Sequence, residues 1–126
     1  MVQVETSQLT GECNTWRETL RQYRDEFSKN KTKLQDAARH PLSKDQLQDV
    51  EHLHNQFHIQ LINIHDLKHA VKGHEQKMSY EMNVNKGKLN DEAMAEHEKL
   101  SEQYQSLELT LQDLREEFDE FLSRTQ

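Results

Sequence analysis

A chain of 126 residues with one cysteine, one proline, three glycines and 31 % charged side chains is sized for a single domain, 1–126, and composed like a helical bundle. The lone cysteine excludes an intramolecular disulfide, and no segment approaches the roughly 20 apolar residues that span a bilayer. The net charge of −7 sits at one end. Residues 91–126 hold eleven acidic and three basic side chains, while the rest is close to neutral, so that end repels a phosphate backbone and no basic stripe offsets it.

The opening MVQVETSQLTGE has neither a basic nor an apolar signal region, which gives the expectation of a cytoplasmic protein. Beyond it, Leu9, Cys13, Trp16, Leu20, Tyr23, Phe27, Leu34 and Ala37 recur in steps of three and four, with only Asn30 interrupting. This spacing predicts a first helix over 7–39. Pro41 ends it by disfavouring helical geometry at His40. On that seam Cys13 reads as a small core residue.

The restart is marked by Leu42-Ser43-Lys44-Asp45-Gln46-Leu47. Ser43 as N-cap, Gln46 three residues on, and Leu42 with Leu47 as a staple form a helix-start signature. A connection of three or four residues then forces an antiparallel hairpin. The second helix, 44–82, repeats every seven residues through Val50, Phe57, Ile64, Val71 and Met78. Leu47, Leu61 and Met82 are read as its companion core positions, with Leu53 and Leu67 widening the stripe. Gly73 costs about 1 kcal/mol inside a helix, but Met78 and Met82 stay on register, so the helix is expected to continue past it. Asn83-Val84-Asn85-Lys86-Gly87-Lys88 reads as a turn.

Leu89-Asn90-Asp91-Glu92 then reads as staple, cap and acidic first turn of a third helix, 91–125. Its seam through Ala93, His97, Leu100, Tyr104, Leu107, Leu111, Leu114, Phe118 and Phe121 alternates four and three without a break. Three matched helices, each about 50–58 Å long at 1.5 Å per residue, give an all-α, elongated up-down-up antiparallel three-helix bundle with heptad, coiled-coil-like packing. In shape this resembles a spectrin-type repeat, including the aromatic-bearing first helix. The likeness is one of architecture and transfers no function.

Six of the eight histidines lie between Glu51 and His74. His54, His58, His65 and His69 span only about 60° of helix circumference, on the shoulder of the apolar face. Their i,i+4 spacing is the one that lets two imidazoles reach one metal ion. Their edge position next to acids such as Asp113, Glu117, Glu120 and Glu18 also suggests pH-responsive pairing. A second candidate emerges when the chain is folded on paper at residues 41 and 86. His74, Glu75, His97 and Glu12 then meet, with Cys13, at one end of the bundle as a polar layer in an apolar seam. Each member needs a partner if buried, so the layer is read first as a hydrogen-bonded register device and second as a metal or small-ligand site. The metal candidates are thus His54, His58, His65, His69, His74, Glu75 and His97.

No phosphate loop, nucleophile elbow, CxxC pair or HExxH motif is present. A Cys13–His dyad is conceivable, but nothing positions an oxyanion hole. The expectation is a non-enzymatic interaction or scaffolding module without a cofactor. Its partner is taken to be another protein or a second copy of the chain as a homodimer, not nucleic acid or membrane. The alternative is a metal-ion or small-ligand binding bundle. Glu116, Glu117, Asp119 and Glu120, with Leu109 and Leu122 outside the seam, mark the acidic end of the third helix as a docking face or a solvated one.

Overall fold

The computed structural model describes residues 2–85 and 89–125, with the side chains of 2–6 left aside. It consists of three α-helices: α1 (Val2–Ala37), α2 (Lys44–Val84) and α3 (Asp91–Thr125). They form a three-helix bundle in which α2 packs against both neighbours and α1 also meets α3. Lys86, Gly87 and Lys88, part of the expected second turn, lie outside the described residues.

Buried positions follow the seam along each helix. On α1 they are Cys13, Trp16, Leu20, Tyr23, Phe27, Asn30 and Leu34, in unbroken steps of three and four. Asn30 therefore occupies the seam it was expected to interrupt. On α3 the expected seam is buried throughout, with Leu107 packed at its margin. On α2 the seven-residue repeat through Phe57, Ile64, Val71 and Met78 is buried, but its companion positions differ from the expectation. They are Leu53, Gln60, Leu67 and His74. Leu47 is 50 % exposed, while Leu61 and Met82 are half-buried. Two polar residues on the true seam, Gln60 and His74, disguise it as a surface in the sequence.

The ends obey local rules. Ser43 sits at extended φ −67° and ψ 166°. Its Oγ accepts from the Gln46 N–H at 3.1 Å, and Gln46 Oε1 accepts from the Ser43 N–H at 2.8 Å. This closes the expected capping box. Asn90 caps α3 by accepting from the Ala93 N–H at 2.8 Å, while its Nδ2 donates to Glu81 of α2 at 2.9 Å. One side chain thereby starts α3 and ties it to the helix before. The ends of α1 differ from 7–39. It begins at Val2, because helix propagates by local hydrogen bonds beyond the last seam residue. It stops at Ala37, where Arg39 and His40 N–H groups turn to i−3 carbonyls at 3.2 and 3.3 Å, tightening the chain ahead of Pro41. The first connection is thus 38–43, longer than expected. α2 runs through Gly73 unbroken and ends two residues later than expected, at Val84.

At the end near the first connection, one aromatic from each helix meets. Phe27 and Phe57 are 5.4 Å apart at 69°, and Phe57 and Phe118 are 5.1 Å apart at 82°. Edge-to-face pairs of this kind add about 0.5–1.5 kcal/mol each beyond area burial. Beside them Arg115 of α3 donates twice to Glu26 of α1, at 2.7 and 2.6 Å, and lies 4.9 Å over the Tyr23 ring.

The seam assignment is testable by denaturant unfolding. Phe57→Ala is expected to cost about 3–5 kcal/mol, as a large core truncation does. Leu47→Ala, on an exposed position, is expected to stay within about 0.5 kcal/mol of the parent. A comparable loss at both positions would refute the seam.

Candidate functional site

The antiparallel topology brings three seam positions to one level: Cys13 of α1, His74 of α2 and His97 of α3. All three are buried, at 0 %, 3 % and 5 % exposure. Cys13 Sγ, His74 Nε2 and His97 Nδ1 converge. His74 Nε2 lies 3.1 Å and Cys13 Sγ 3.8 Å from His97 Nδ1, and the donor atoms of the three residues fall within 4.8 Å of one another. Among the described residues this is the one group of three histidine, cysteine or carboxylate ligands within reach of a single ion.

The protonation pattern follows from the far side of the His97 ring. Its Nε2 lies 3.0 Å from a Glu12 carboxylate oxygen, which only accepts, so Nε2 carries the hydrogen. In the neutral ring Nδ1 is then a lone pair, and it accepts from the His74 Nε2–H. Trp16 packs over the His97 ring with centroids 4.8 Å apart and planes 30° from parallel. Trp16 in turn stacks with Tyr104 at 5.8 Å. The imidazole is therefore fixed in its plane by aromatics and in its tautomer by Glu12.

Electrostatics set the two other members. The Cys13 thiol is pushed up to about 12, first by burial and then by the nearby Glu75 and Glu12 carboxylates, against a smaller opposing effect of Arg17. Nucleophilic chemistry needs the thiolate, so a solvent-sealed thiol held this high is no nucleophile. His74 is held below the ordinary histidine value, chiefly by burial and then by His97. Lys77 adds to the depression, while Glu96 and Glu75 oppose it.

The sequence candidates divide clearly. His74 and His97 come together as expected, with Glu12 beside them. Glu75 does not reach the cluster's centre, because Arg17 holds both of its oxygens. Cys13, expected to be core filler, is the third member. The single signal for it was its level after folding at the two turns. Of the α2 stripe, His54 is half-buried, and His58, His65 and His69 are exposed. His65 and His69 stack at 6.4 Å between centroids, but among the described residues no ligand from another helix joins them in a three-residue group. Two of the four acids considered as their partners are engaged elsewhere. Glu117 meets His52 at 2.8 Å, and Glu18 pairs with Arg21. On α3, Leu122 packs against the core while Leu109 is exposed.

No protein-family model matches the chain, and neither a curated protein nor a solved structure matches it.

The depressed His74 value predicts a pH dependence of stability. The groups around His74 are Cys13 from α1, Glu75 and Lys77 from α2, and Glu96 and His97 from α3, with Glu12 and Arg17 of α1 acting on the adjoining Cys13. The unfolded chain takes up the His74 proton near its ordinary value of 6.5, before the folded chain does. The stabilisation is therefore complete above about pH 6.5 and is lost as pH falls below it toward the folded value. Thermal unfolding followed by circular dichroism is expected to show a lower midpoint at pH 5.5 than at pH 7.5, with a smaller difference in His74→Gln. An equal difference in both proteins would remove His74 as the cause.

Proposed function

We propose that this protein is a non-enzymatic interaction module that pairs with a second copy of itself through the outer face of α2. The observation carrying this reading is that α2, unlike α1 and α3, is apolar on two faces. Opposite its seam it exposes Ile59 (44 %), Ile62 (48 %), Tyr80 (69 %) and Val84 (58 %). At 100° per residue these four fall within about 60° of one another. Isolated exposed apolar residues need no explanation, but a lengthwise stripe is the pattern of a helix awaiting a neighbour.

The order of residues along the stripe favours a second copy as that neighbour. Ile59 and Val84, Asp66 and Lys77, and Ala70 and Gly73 are each centred between Val71 and Lys72, and Ile62 and Tyr80 are centred half a residue away, on Val71. All eight lie on this outer side. Two α2 helices packed antiparallel across a two-fold axis at that point would set each isoleucine against the partner's Tyr80 or Val84. Asp66 would face the partner's Lys77. Ala70 and Gly73, the two smallest side chains, would flank the axis, where the backbones come closest. A Cβ added at Gly73 meets nothing within 4 Å in its own chain. Asp66 and Lys77 are exposed, and neither enters an ion pair among the described residues. A face that complements its own reversed copy is what an isologous dimer requires.

The size of the stripe sets the strength. From Ile59 to Val84 it is about 39 Å long and roughly 10 Å wide, a footprint on the order of 400 Å² per protomer. Across both protomers this is about 800 Å², below the roughly 1,200–2,000 Å² of standard interfaces, so the pairing is weak and concentration-dependent.

Sedimentation equilibrium over roughly 1–500 μM tests the reading. The parent chain is expected to pass from monomer to dimer. Ile62→Glu is expected to weaken the dimer at least about tenfold, or 1.4 kcal/mol. Asp66→Lys alone sets lysine against lysine and weakens pairing, whereas D66K combined with K77D restores it. A parent that stays monomeric throughout, or charge variants that do not compensate, would overturn the proposal.

A further inference from the structure

We infer that Cys13, His74 and His97 form a binding site for a single borderline transition-metal ion, Zn²⁺ in chemical class, held by one ligand from each helix. The inference is argued from the cluster's own geometry and does not rest on pairing through α2. Three properties of the cluster carry it.

The first is geometry. A tetrahedral Zn²⁺ with bonds of about 2.0–2.1 Å to nitrogen and 2.3 Å to sulfur sets its ligand atoms about 3.3 Å apart for N···N and about 3.6 Å for N···S. His74 Nε2 and His97 Nδ1 are 3.1 Å apart, and Cys13 Sγ and His97 Nδ1 are 3.8 Å apart. Both edges need to change by only about 0.2 Å to match those lengths. The third edge, between Cys13 and His74, is at most 4.8 Å and has to shorten by up to about 1.2 Å to reach the same N···S length.

The second is the outer support. Metal-ligating histidines characteristically donate their other ring N–H to a carboxylate, which fixes tautomer and orientation. Glu12 does this for His97 at 3.0 Å, and Trp16 holds the ring plane. A polar layer serving register alone needs neither a thiol nor a ring aimed by both a carboxylate and an indole.

The third is charge. Binding moves the His74 hydrogen from Nε2 to Nδ1 and releases the thiol proton to solvent, so the sulfur binds as thiolate. The ion, the thiolate and the Glu12 carboxylate then sum to zero, and Arg17 and Glu75 neutralise each other beside them. A buried site tolerates a metal ion on those terms.

Three protein ligands leave a fourth corner for water or an exchangeable small donor. His74 lines the groove between α2 and α3 beside Gly73 and Ala93, with three carboxylates, Glu81, Glu92 and Glu96, and one opposing cation, Lys77, along it. A cleft dominated by carboxylates concentrates cations.

Titration of the untagged full-length chain with Co²⁺, a spectroscopic stand-in for Zn²⁺, tests the assignment. One equivalent is expected to give a sulfur-to-cobalt charge-transfer band and intense visible bands of four-coordinate cobalt, both removed by competing Zn²⁺. Cys13→Ser is expected to lose the charge-transfer band, H74Q and H97Q the stoichiometric binding, and E12Q about 10–100-fold in affinity. The quadruple variant H54Q/H58Q/H65Q/H69Q is expected to keep the full spectrum. Circular dichroism confirms helicity in every variant. Should Cys13→Ser unfold, Cys13→Ala takes its place, and a Zn²⁺-dependent rise in the melting temperature of the parent chain provides the second readout. A charge-transfer band that persists without the cysteine, binding that disappears with the surface stripe, or an unchanged parent spectrum and melt would overturn the inference.

Discussion

A bundle of three helices has one interior line, and every residue on it is enclosed from three sides. That constraint governs this protein. The line is filled at three- and four-residue intervals on all three helices. Enclosure from three sides makes apolar contacts strong and unpartnered polar groups costly. The four polar residues on the line, Asn30, Gln60, His74 and His97, are therefore the positions at which it specifies something more than cohesion.

The two ends of the line differ in kind, and the difference fixes register. Near the first connection Phe27, Phe57 and Phe118 make an aromatic layer. Near the second, Cys13, His74 and His97 make a polar one. Sliding α3 by one heptad against its neighbours would keep leucine against leucine along much of the bundle, so apolar packing alone discriminates weakly. The same slide would separate His97 from His74 and Glu12 and bury two imidazoles without partners. Phe118 would also leave Phe57. Polar layers that specify pairing are a well-attested use of buried polar groups.

The legibility of the sequence follows from this chemistry. The helices, their order and their caps could be read because seam spacing and capping are local signals, and Ser43 with Gln46 and Asn90 formed the expected bonds. The companion seam of α2 could not, since Gln60 and His74 look like surface residues until three helices enclose them. His74, His97 and Glu12 were placed together by counting back from the two turns. Counting gives level but not direction, so it admits Glu75 as a member and leaves Cys13 as a core residue. Direction is decided by Arg17, one turn from Cys13, which draws the Glu75 carboxylate aside. The outer stripe of α2 was overlooked for another reason. Apolar residues in a helix are first credited to its own core, and Ile59 and Ile62 acquire meaning only once the core is known to exclude them.

Both distinctive features of α2 meet in a single turn. Gly73 faces outward beside the symmetry point of the apolar stripe, and His74, the next residue, faces inward to the polar layer. Glycine is the weakest link in a helix, by about 1 kcal/mol relative to alanine, and here it stands between two surfaces that each demand a fixed backbone. A metal ion holding His74 and a second α2 seated across Gly73 would order the same few peptide units. Whichever binds first bears the conformational entropy of that turn, and the other then binds without it. Linkage makes the benefit reciprocal, the same factor in both directions.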